Sequence, residues 1–91
     1  IHVGVTMKKL SFNGNKNIIY KRLRYYRELR GFSQEQLAAK LQTMNVNIDQ
    51  QMVSKIEHDQ RLVTDYELAC FCQVLNVSER ELLADFYDRS E

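Results

Sequence analysis

The sequence predicts an all-α fold of five helices, on three observations. The 91 residues contain no proline and only three glycines (Gly4, Gly14 and Gly31), so chain breakers are scarce. Three segments, Ser33–Gln36, Thr64–Glu67 and Ser78–Glu81, have the hydroxyl-x-x-acid-or-amide spacing that starts a helix. From Lys16 onward, apolar residues recur at the helical period.

The elements follow in order. In residues 1–15, Ile1, Val3, Val5 and Met7 alternate with His2, Gly4 and Thr6, a strand-like pattern, and Asn13-Gly14 reads as a turn. Met7 is a candidate start, which leaves open whether residues 1–6 are native. A first helix then places Ile19, Leu23, Tyr26 and Arg30 on one face, with Ile18 and Leu29 beside it, and Gly31 ends it as a left-handed cap. Ser33 caps a second helix that buries Leu37, Ala38 and Leu41 and runs to about Met44. Asp49 caps a third, with Met52, Val53 and Ile56 inward, ending near His58-Asp59. Thr64 opens a fourth with Leu68, Phe71, Cys72 and Leu75 inward, and Ser78 a short fifth with Leu82 and Leu83. Three segments result: an N-terminal extension over 1–15, a helical domain over 16–84 and a charged tail over 85–91.

Charge is unevenly spread. Residues 1–46 hold nine bases and two acids, and residues 47–91 hold four bases and ten acids. The halves therefore carry +7 and −6, although the chain's net charge is only +1. Such asymmetry points to one face turned toward a polyanion. No run of about 18 apolar residues suits a bilayer, and no signal-peptide pattern opens the chain. Two cysteines, Cys70 and Cys72, make no disulfide framework and point to a reducing cytoplasm.

The most informative stretch runs from Gly31 to Asp59. Ser33-Gln34-Glu35-Gln36-Leu37-Ala38 and Val53-Ser54-Lys55-Ile56-Glu57, followed by Thr64-Asp65-Tyr66-Glu67-Leu68 and Leu75-Asn76-Val77-Ser78, resemble the lambda-repressor-like, or Cro/C1-type (XRE), helix-turn-helix family. The resemblance covers roughly Lys16 to Leu83. It implies a five-helix DNA-binding domain whose third helix enters the major groove. It also implies that Gln34, first in the second helix, bonds a phosphate, and that Arg27 and Glu57 form a structural ion pair.

Physical chemistry independently supports base reading from the third helix. Each base pair shows its own donor and acceptor pattern in the major groove. Gln50 and Gln51 can bond adenine N6 and N7. Lys55, one turn from Gln51, can reach guanine O6 and N7, and Ser54 can touch a base or a phosphate. The free N–H groups at a helix start suit anions, which makes Ser33 and Gln34 candidate phosphate contacts, with Lys40 and Arg61 as further partners.

Two features depart from the family pattern. The connector from Leu41 to Val53 is about five residues too long and lacks the usual glycine, so the turn of the helix-turn-helix is lengthened, with Val46 and Ile48 expected beneath it as core. Asp59 stands where a glycine often ends the third helix.

Other chemistries find little support. Cys70 and Cys72, two apart on a helix, point in different directions and read as structural rather than metal-binding. No nucleophile has an evident base and no phosphate loop appears, so neither an enzyme nor a cofactor is expected. The expected function is sequence-specific regulation of transcription by a homodimer on double-stranded DNA. The alternative is a protein–protein regulatory module, antitoxin-like or partner-binding, on the same fold. Nonspecific binding through the basic half is a further alternative.

Overall fold

A computed structural model of the chain describes residues 11–89. The strand-like pattern at Ile1–Met7 lies outside the described residues. These residues form six helices: α1 (Tyr20–Leu29), α2 (Gln34–Gln42), α3 (Gln50–Glu57), α4 (Asp65–Leu75), α5 (Glu79–Leu82) and α6 (Ala84–Tyr87). The fold is all-α, with the helix-turn-helix in α2 and α3.

Asn13 and Gly14 have φ of +50° and +83°. Positive φ at both central residues marks the tight turn whose twist suits a hairpin. Phe12 and Asn15 exchange two backbone hydrogen bonds of 2.8 Å across it. The turn rests on α6, where the Phe12 and Phe86 rings lie 5.7 Å apart. Phe86 is therefore occupied within the chain, while Tyr87 remains exposed.

Local chemistry sets the helix starts. Ser33, Thr64 and Ser78 each accept from the backbone N–H three residues on, and Gln36, Glu67 and Glu81 each reach back to the cap residue. Asp49 accepts from the N–H of Met52 at 2.9 Å. The ends rely on left-handed residues: Gly31 after α1, Asp59 after α3 and Asn76 after α4.

Three details differ from the sequence expectation. α1 starts at Tyr20 rather than Lys16; ahead of it the Lys16 and Asn17 N–H groups bond the Asp59 carboxylate and the Ile19 N–H bonds Asn17 Oδ1. Leu29 is 57% exposed, on the side of α1 away from the core. Ala84–Tyr87 adds a sixth helix that starts without a side-chain cap.

Among the described residues the core is one cluster. Leu23 of α1, Leu37 and Leu41 of α2, Val53 and Ile56 of α3, Phe71 and Leu75 of α4, and Leu82 of α5 are fully buried. Each such burial is worth about 1.5–3 kcal/mol against exposure. The long α2–α3 connector joins this cluster through buried Val46 and Ile48. Asn45, at φ +62°, turns the chain, and Gln42 Nε2 donates to the Ile48 carbonyl at 3.1 Å. The extra residues are thus anchored to the core. The result is an α3 held against α1 and α2 with its outer face open.

Candidate nucleic-acid interface

Four residues from three helices form a hydrogen-bonded chain that runs from α1 and the last turn of α3 to the first turns of α2 and α3. Arg27 Nε and Nη2 donate to Glu57 Oε2 and Oε1 at 2.6 and 3.0 Å. Gln34 Nε2 donates to Glu57 Oε1 at 3.0 Å. Gln50 Nε2 donates to Gln34 Oε1 at 2.7 Å. Arg27 and Glu57 are both buried. The two parallel bonds are the forked geometry of a strong charge-assisted pair. The bond to Glu57 raises the Arg27 pKa above its ordinary value, against the opposing effect of burial. Arg27 also donates to the Phe32 carbonyl at 2.8 Å, just before the α2 cap.

The polarity of this chain follows from its charged end. An ionised carboxylate only accepts, so Gln34 turns its NH₂ to Glu57 and its carbonyl oxygen toward Gln50. Gln50 must then donate to that oxygen. Among the described residues, one amide N–H and the carbonyl oxygen of Gln50 remain uncommitted, a donor beside an acceptor.

Along α3, Gln51 and Lys55 are exposed and Ser54 and Gln50 are half-buried. One helical turn separates Gln51 from Lys55, which puts them on one face. Ser54 Oγ lies 3.4 Å from His58 Nδ1, and that nitrogen lies 2.8 Å from the Ser54 carbonyl. His58 therefore caps the end of α3.

The four candidate phosphate contacts sit in different settings. Ser33 is exposed and its hydroxyl accepts from the Gln36 N–H at 3.0 Å. Gln34 is engaged on both sides of its amide, as above. Lys40 is exposed, with its ammonium 5.2 Å from the centre of the Phe32 ring. Arg61 donates to both carboxylate oxygens of Glu67, at 2.9 and 3.1 Å, and to the Leu62 carbonyl at 2.9 Å. This partnership with Glu67, which the sequence reading did not include, raises the Arg61 pKa. Burial pushes the Glu67 carboxyl up, but the Arg61 bonds and the Thr64 N–H outweigh it and hold its pKa below the ordinary value.

Cys72 is buried, and burial pushes its thiol up to about 11. Cys70 is half-buried, and both thiols are free. Among the described residues no helix is long and apolar enough to cross a membrane.

A comparison with curated proteins finds no match. Among solved structures, the chain is similar to the restriction-modification controller protein C.AhdI from Aeromonas hydrophila. The two are 31% identical, with 70% of this chain and 86% of that chain covered and a TM-score of 0.62. A family model described as helix-turn-helix matches residues 23–82, which contain α2, the connector, α3, α4 and α5. With that match over most of its length, the chain belongs to the Cro/C1-type helix-turn-helix family of non-enzymatic DNA-binding proteins.

Proposed function

We propose that this protein is a sequence-specific transcription regulator whose α3 enters the major groove of duplex DNA. The observation that carries this reading is the Gln34–Gln50 amide pair. It leaves Gln50 with a donor and an acceptor side by side, the complement of the adenine N7 and N6 edge. Gln51, Ser54 and Lys55 supply the remaining base contacts, with Lys55 suited to guanine O6 and N7.

Ser33, Gln34, Lys40 and Arg61 are the proposed phosphate contacts, which set register without reading sequence. Arg61 retains guanidinium donors beyond those given to Glu67 and Leu62, so it can serve both. The likeness to a restriction-modification controller supports control of transcription as the outcome of binding. The protein acts as a homodimer on half-sites about 34 Å apart. Its free thiols, Cys70 and Cys72, suit the reducing cytoplasm.

Selection of bound duplexes from a random pool at physiological salt tests this. The expected product is a two-fold symmetric consensus. Recovery of unenriched sequences would contradict sequence-specific binding.

A further inference from the structure

The end of α3 is held by residues outside the base-reading face. Asn17, which precedes α1, is 7% exposed. Its amide nitrogen donates to the Ile56 carbonyl in the last turn of α3 and to the Arg61 carbonyl beyond it, both at 3.0 Å. Its Oδ1 accepts from the Ile19 N–H at 3.1 Å. Asn17 thus gives a second donor to a last-turn carbonyl that also accepts from the Asp59 N–H at 3.1 Å.

Asp59 closes the same junction from the other side. It adopts φ +58°, a conformation glycine reaches at less cost. What aspartate adds is a carboxylate. Its Oδ1 accepts from the Lys16 N–H at 2.7 Å and the Asn17 N–H at 3.1 Å. The chain entering α1 is therefore fastened to the chain leaving α3.

α1 consequently grips the last turn of α3 from both of its ends. Arg27, near its C-terminus, holds Glu57, and Asn17, ahead of its N-terminus, holds Ile56. Two attachments on adjacent residues of one turn restrict both tilt and rotation of α3. Groups that read hydrogen-bonding edges must be placed to within about half an ångström by their supporting contacts. Rotation of α3 would move Gln51 and Lys55 together.

We propose that Asn17 and Asp59 are positioning residues for DNA recognition, acting as a latch that fixes the orientation of α3. The latch rests on the reading of α3 as the helix that enters the groove. Asp59→Gly removes the carboxylate while accepting the positive φ, and Asp59→Asn retains a side-chain acceptor.

The test measures affinity of the full chain for its selected duplex and for an unrelated duplex, at one salt concentration. The temperature is one at which circular dichroism shows every variant folded. The latch predicts that Asp59→Gly, which removes both hydrogen bonds to Oδ1, weakens the selected duplex about tenfold. The unrelated duplex should be weakened less, so the specificity ratio falls. Asp59→Asn, which keeps an uncharged acceptor, should fall between the parent and Asp59→Gly. A folded Asp59→Gly protein with unchanged affinity and ratio would overturn the latch alone. A parent protein with no duplex preference would overturn the groove reading and the latch with it.

Discussion

The side-chain amide of Gln50 donates to that of Gln34 at 2.7 Å, tying the first turn of α3 to the first turn of α2. One of these residues is proposed to read a base and the other to touch the backbone. They are therefore one unit, and a change at either alters both contacts. Gln34→Ala should weaken DNA binding by more than one phosphate contact, because Gln50 loses its partner. Binding measured for both single variants and the double variant should be non-additive, with a coupling of about 1 kcal/mol. Strict additivity would mean that the amide pair has no part in recognition.

Arg27 and Glu57 stand at the root of that chain and are both buried. Removing one partner strands a charge, so Arg27→Met and Glu57→Met should each cost about 3–5 kcal/mol in denaturant unfolding. The double Met variant should cost less than the sum, since no lone charge remains. Unchanged stability in both single variants would show that the pair is not sensed as buried.

Part of this architecture is legible in the sequence, and the division has a physical basis. Ser33, Thr64 and Ser78 announce their helices because a capping box is complete within four residues. Asn13-Gly14 announces its turn through its own backbone preferences. Val46 and Ile48 are recognisable as connector core from their apolar character. By contrast, Asp59 reads locally as a glycine substitute, and its work is done on Lys16 and Asn17, more than forty residues away. Asn17 bonds the Ile19 N–H locally, but its bonds to Ile56 and Arg61 likewise reach about forty residues away. Arg61 reads as a free cation until the fold brings it to Glu67. Leu29 matches the helical period yet is exposed, since among the described residues no helix covers that side of α1. α6 escapes because its start has no side-chain cap. Within the interface, residue types on α3 are legible, whereas the contacts that orient Gln34 and Gln50 are not.

Glu67 gives the fold an acid-sensitive joint. Its folded-state pKa is lowered by Arg61 and Thr64 despite burial. A depressed carboxyl contributes stability that is present above its unfolded value. That contribution is lost as pH falls through the folded value. Urea unfolding should therefore show stability falling below about pH 4.3, the ordinary glutamate value. Glu67→Gln should be less stable than the parent at pH 7 by about 1–3 kcal/mol, with a shallower loss in acid. Parallel profiles for the two proteins would exclude a contribution from Glu67.

The two thiols should react unequally. Cys72 is buried and its pKa is pushed up to about 11, which leaves little thiolate near neutrality. Cys70 is half-buried. A thiol-specific reagent at pH 8 should modify Cys70 first and reach Cys72 only on unfolding. Equal rates in the folded protein would show that α4 does not shield Cys72.

The central claim is that Gln50, Gln51, Ser54 and Lys55 form the surface that meets DNA. Nuclear magnetic resonance of the isotope-labelled chain, titrated with its selected duplex, tests this residue by residue. The account predicts the largest shifts at the start of α2, along α3 and at the Gln34, Gln50 and Gln51 side-chain amides. Shifts concentrated on the outer face of α1 around Tyr25 and Leu29, or on α6, with α3 unperturbed, would contradict it.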